Sequence, residues 1–139
     1  MDVRTKAAAR AGFALVAMLA LSPPAPAEPR IERTAQGAEF VTGGVTKEEA
    51  DYLRARAADY PLEMVFTKAT DVGVVFAADV HVRVRDERGA EVLEVAAAEP
   101  ILLARLAPGR YTIEATYGGR TRTASVTVGA GHQKIGLTW

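Results

Sequence analysis

Leu106-Ala107-Pro108-Gly109-Arg110-Tyr111-Thr112-Ile113-Glu114 is a proline-glycine turn that launches an alternating strand. Beyond the turn, Tyr111, Ile113, Ala115 and Tyr117 fall on one face, and Arg110, Thr112, Glu114 and Thr116 on the other. That period of two is the mark of a half-buried strand. Working outward, Gly118-Gly119 offers a two-residue hairpin connection, with the return through Ala124, Val126 and Val128. Gly129-Ala130-Gly131 turns again before Ile135, Leu137 and Trp139.

Upstream the same logic recurs. Leu62, Met64 and Phe66 alternate with Glu63, Val65 and Thr67, and Val80, Val82 and Val84 alternate with His81, Arg83 and Arg85. Asp86-Glu87-Arg88-Gly89 reads as a hairpin turn into Glu91 to Ala96, and Leu102, Ala104 and Leu106 share a face of the next strand. Val72 to Ala78 is apolar without alternation and fits either a buried edge strand or a packed loop. About seven strands at this spacing predict an all-β fold, an antiparallel β-sandwich, rather than βαβ units.

One helix is expected near the start. Thr46-Lys47-Glu48-Glu49 fits a capping box, with the Thr46 hydroxyl accepting from the Glu49 amide and the Glu49 carboxylate reaching back to the Thr46 amide. Ala50, Leu53 and Ala57 form a narrow apolar stripe suited to lying on a sheet, and Tyr60 before Pro61 ends the element. The domain plan is a signal peptide over 1–27, a flexible lead-in over 28–45 with at most one short strand near Ala38 to Val41, the helix over 46–60 and the sandwich over 61–139.

The signal peptide rests on Arg4, Lys6 and Arg10, then the uncharged run Ala11 to Leu21, then a Pro-rich flank ending in Ala25-x-Ala27. The run is half the roughly 20 residues of a membrane span, so no span is expected after cleavage at Ala27. Cleavage would leave 14 basic and 16 acidic residues, which removes the electrostatic basis for a nucleic-acid or anionic-membrane role. With no cysteine there is no disulfide framework, thiol chemistry or Cys-bearing zinc site.

Reactive residues are few. Ser125 is the one serine after residue 27, shares a strand face with Thr121, Thr123 and Thr127, and has no nucleophile elbow around it. Asp79 and His81 point the same way by their two-residue spacing, so a metal site with His132 as partner is conceivable, although zinc wants three or four ligands. His81, Arg83 and Arg85 form a candidate binding stripe for an acidic partner, which Glu91 or Glu94 of the next strand can neutralise. Arg110, Arg120 and Arg122 are expected to cluster across a hairpin. Gly43-Gly44 precedes a helix opening with Glu48 and Glu49, which suits a cap and not a phosphate.

Asp79-Val80-x-Val82-x-Val84-x-Asp86-x-x-Gly89, together with Leu103 to Tyr117 around the Pro-Gly-x-Tyr motif, resembles the carboxypeptidase regulatory-like domains. Those share a transthyretin-like (prealbumin-like) sandwich, and the likeness covers Leu62 to Trp139; the whole chain after the expected signal peptide, including Gly43-Gly44 and its helix, is also similar to small exported bacterial proteins of this group. The resemblance implies structural roles for Pro108, Gly109 and Tyr111, and a fold fixes no function. Transthyretin-like hydrolases of a urate breakdown product end in Tyr-Arg-Gly-Ser, whereas this chain ends Gly136-Leu137-Thr138-Trp139. Lys–Asn isopeptide domains need an asparagine, and the sequence has none.

These residues predict a non-enzymatic envelope protein without cofactor, periplasmic or secreted, that binds a protein or glycan through edge strands or the face of His81, Arg83 and Arg85. The alternative is a minimal metal-binding protein or hydrolase built on Asp79, His81 and His132. A third expectation is an accessory subunit whose open edge strand receives another chain.

Overall fold

The computed structural model describes residues 28–139; the expected signal peptide lies outside the described residues. Among the described residues, ten strands form two sheets packed as a β-sandwich. They are β1 (Glu32–Arg33), β2 (Glu39–Gly43), β3 (Leu62–Thr70), β4 (Gly73–Phe76), β5 (Val80–Asp86), β6 (Glu91–Ala98), β7 (Ile101–Arg105), β8 (Gly109–Tyr117), β9 (Arg120–Val128) and β10 (Gln133–Thr138). The first sheet runs β1-β2-β7-β3-β10, with β4 added beside β3; the second runs β6-β5-β8-β9.

The alternating residues supply the core between the sheets. Leu62, Met64, Phe66, Leu102 and Ala104 face Val80, Val82, Val84, Leu93, Tyr111, Ile113 and Ala115, all buried. Gly118 and Gly119 both take positive φ, 57° and 79°, and so close the β8–β9 hairpin in the handedness that matches strand twist. In the β5–β6 turn, Gly89 has φ 83°, and the Asp86 carboxylate accepts from the amides of Arg88 and Ala90 at 2.9 and 3.0 Å.

A second, smaller core lies on the outside of the first sheet. Helix α1 (Lys47–Arg56), followed by a short 3₁₀ turn over Ala57–Asp59, sets Ala50, Leu53 and Ala57 against Val41, Ile101, Leu103 and Tyr60. The helix comes close because Gly43 has no side chain: a Cβ there would sit 3.1 Å from both Leu53 and Pro29. Gly44, at φ 104°, turns the chain into the helix. The Thr46 hydroxyl accepts from the Glu49 amide as expected, but the Glu49 carboxylate takes the Gly44 and Val45 amides instead of that of Thr46. Both outward-pointing amides of the glycine turn are thereby satisfied from within the chain.

The expected β-sandwich with a helix near its start is present, and three details differ. The stretch 28–45 is more than a lead-in: β2 pairs with β7 over five residues and buries Phe40 and Val41, so the sandwich begins before the helix. Short strands β1, β2 and β4 raise the number above seven. The sheets are also not wholly antiparallel, since β10 runs parallel to β3 with Gln133 opposite Leu62 and Thr138 opposite Thr67. Phe66 and Tyr117 receive Trp139 at ring separations of 6.3 and 5.6 Å, and the Trp139 amide donates to Thr67 at 3.1 Å.

Candidate functional site

The outer face of the second sheet carries the predicted stripe, and each of its three side chains is partnered. His81 Nε2 lies 2.7 Å from the Glu94 carboxylate. Arg83 Nε donates to Glu91 at 2.8 Å and lies 3.8 Å from Glu94. Arg85 donates to Glu114 on the opposite neighbour strand. The register puts the glutamates within reach, with Arg83 between Glu94 of β6 and Glu114 of β8 and Arg85 opposite Glu91, and the hydrogen bonds run to diagonal neighbours, Arg83 to Glu91 and Arg85 to Glu114. The Glu91 hydrogen bond, reinforced by the charges of Glu91 and Glu94, pushes the Arg83 guanidinium further above its usual value. Two guanidinium groups and an imidazole meet three carboxylates, so an acidic ligand would have to displace a built-in one.

The other sequence candidates are not brought together. Asp79 sits in the β4–β5 connection at φ 62°, and His81 turns to Glu94 rather than to it. His132 lies on the far side of the molecule, outside the first sheet. There its Nδ1 is 2.8 Å from the Tyr60 carbonyl oxygen and its Nε2 is 3.0 Å from the buried Glu63 carboxylate, pinning the entry to β10 against β3. No group of three His, Cys, Asp or Glu that could hold a metal occurs among the described residues. Ser125 is exposed on the outer face of the second sheet, opposite Thr112 and away from His132. Arg110, Arg120 and Arg122 do not cluster. Arg110 pairs with Thr127 at one end of the β8–β9 hairpin, Arg120 pairs with Tyr117 at the other, and Arg122 Nε donates to the Thr138 carbonyl.

The Pro108-Gly109-Tyr111 turn is architectural. Tyr111 has a buried ring, and its hydroxyl donates to the Ala107 carbonyl four residues back at 2.6 Å, tying strand to turn as in a tyrosine corner. Burial, with the nearby Asp86 charge, pushes that hydroxyl up. Beside it lies an open, polar cleft of about 510 Å³ whose walls include Asp86, Arg110, Thr112 and Ser125.

The hairpin of β3 and β4 differs from all of this. Val72, Val74, Val75 and Phe76 are 94%, 65%, 41% and 40% exposed. Phe76 stands opposite Thr67 and Val74 opposite Ala69, so both lie on the face shared with the helix, where the Arg54 guanidinium is 5.9 Å from the Phe76 ring centre. The Ala77 amide donates to Phe66 at 3.0 Å, toward β3. By strand alternation the backbone N–H and C=O of Val74 and Phe76 point the other way, along an edge that pairs with no strand among the described residues. Sequence reasoning left this stretch unassigned. The available signal was an uncharged apolar run between Asp71 and Asp79 with no polar alternation.

Among the described residues no helix is long and apolar enough to cross a membrane. Compared with family models, with curated proteins and with solved structures, the chain matches none.

Proposed function

We propose that this chain is a non-enzymatic, exported binding module of the cell envelope, periplasmic or secreted, which engages a protein partner through its β3–β4 hairpin. One observation carries the reading: three valines and a phenylalanine stand in solvent on a single hairpin, while the charged face of His81, Arg83 and Arg85 is saturated by its own glutamates. Contiguous exposed apolar surface of this kind marks interaction sites. The carboxypeptidase regulatory-like resemblance and the signal-like start support an exported accessory module. The separation of Asp79, His81 and His132 gives the metal or hydrolase alternative no support.

The test is capture of partners from the protein's own cell envelope, using the tagged protein and two variants. Val74→Ser with Phe76→Ser should lose the captured protein, and Arg83→Ser with Arg85→Ser should retain it. The reverse pattern would move the contact to the charged face. Turnover in a broad hydrolase screen that disappears on a point change would overturn the non-enzymatic reading.

A further inference from the structure

Natural sheets guard their edges, because a bare edge is a template for another strand. Here β1 is only two residues long, and both are charged. The β6 edge pairs with β5 through two register irregularities. The β9 edge is tied down at its start, where Trp139 Nε1 donates to the Arg120 carbonyl at 2.8 Å and Arg122 reaches Thr138. Strand β4 has none of these guards: its residues are Gly-Val-Val-Phe, with no charge, no proline and regular pairing to β3.

We infer that β4 is a receiving edge for an extended segment of a partner protein, which adds as a further strand to the first sheet and is apolar at its centre and basic at its flanks. This rests on the binding-module reading above and specifies its mode. The backbone groups of Val74 and Phe76 supply the hydrogen bonds. On one face the side chains of Val74 and Phe76, continued by the tip residue Val72, offer apolar contact, and Val75 does so on the other.

Charge defines the flanks. Asp71 and Asp79 are exposed at the two ends of the strand and have no ion-pair partner among the described residues. The two cations beside the strand are already engaged: Arg54 lies 3.6 Å from Asp51, and Lys68 donates to the Tyr117 hydroxyl at 3.2 Å. Basic residues on either side of the incoming strand would therefore meet carboxylates.

A second copy of this chain fits less well. The exposed apolar area is a few hundred Å², against roughly 800 Å² per partner in a standard stable interface. Two-fold pairing of β4 would also bring Asp71 and Asp79 of both copies into one seam.

The experiment uses the full chain and three synthetic peptides, each with a Val-Thr-Val-Thr-Val centre: one flanked by two lysines at each end, one flanked by glutamates, and one lysine-flanked but N-methylated at alternate amides. Nuclear magnetic resonance titration gives affinity, and hydrogen exchange reads individual amides. The lysine-flanked peptide should bind at least tenfold more tightly than the glutamate-flanked one at low salt, and N-methylation should cost at least another tenfold. Exchange at the Val74 and Phe76 amides should slow at least tenfold, with little change at Val75, which faces β3.

Equal binding of the N-methylated peptide would overturn strand addition while leaving the hairpin as a side-chain contact, and so would leave the binding-module reading standing. Absence of binding by every peptide overturns the inference. Protection of Val74 and Phe76 that rises with protein concentration, together with a dimer in sedimentation, would assign the edge to a second copy. Binding to lipid vesicles that is lost with Val72→Ser would assign it to a membrane surface.

Discussion

Strands β7 and β4 lie in the same sheet, and each is an uninterrupted apolar run, Ile101-Leu102-Leu103-Ala104 and Gly73-Val74-Val75-Phe76. The first is at most 1% exposed at any of its four residues; the second is exposed at all four. Position makes the difference. Strand β7 has β2 and β3 on its flanks, the sandwich core on one face and helix α1 on the other. Strand β4 pairs with β3 alone and lies beyond both covers. A run that is apolar on both faces expects two covers, and among the described residues β4 lacks the pair that encloses β7.

The sharpest way to test this contrast is to truncate the covered strand. Leu102→Ala removes a fully buried side chain and should cost about 2–5 kcal/mol in chemical denaturation. A loss below 1 kcal/mol would mean that β7 is not the packed centre described. Tyr111→Phe keeps the buried ring but leaves the Ala107 carbonyl without its donor, an expected cost of about 1 kcal/mol.

On the charged face, Arg83→Ser with Arg85→Ser should lower Tm by only a few degrees at low salt, and the difference should shrink as salt is added, since exposed ion pairs are weak and screened. Asp86 supplies a test on the acid side. The Ala90 amide, with help from Arg88, holds its carboxyl below the ordinary value of 3.8. Its contribution is therefore complete above that value and lost as pH falls through the lower folded value, so the gap in Tm between wild type and Asp86→Ala should close below about pH 4. The smallest effect is expected at the bare strand: Phe76→Ser should change stability by less than about 0.5 kcal/mol while removing partner binding. A cost of 2 kcal/mol there would show that β4 is covered after all.

Alternation was readable wherever one face met the core and the other met water. Val80-Val82-Val84 and Tyr111-Ile113-Ala115 were placed correctly because each half-buried strand writes its own period, and the two glycines after Tyr117 fixed their hairpin by handedness. What escaped depends on distant neighbours. A short strand near Ala38 to Val41 was legible, but its burial as an integral part of the sheet was not, because that depends on pairing with β7, about 60 residues later. Nothing local distinguishes β4 from β7, because cover is supplied by other segments. The pairing of Arg83 and Arg85 with glutamates was visible as an option in the alternation of charges, but the choice among Glu91, Glu94 and Glu114 falls on diagonal neighbours, which neither charge pattern nor strand register specifies. Spacing brought Asp79 and His81 together on paper, and the positive φ of Asp79 undid it.

The parallel pairing of β10 with β3 bears on the order of assembly. Thr67 and Thr138 share a hydrogen bond at 2.8 Å across 71 residues of chain, so the first sheet lacks one whole side of β3 until Gln133 to Thr138 are available. Synthesis proceeds from the other end. A nascent chain thus cannot complete this sheet ahead of β10, and contacts this far apart in sequence belong to the slower range of small-domain folding, milliseconds to seconds. That delay leaves the first sheet open along one side of β3 for as long as β10 is still being made.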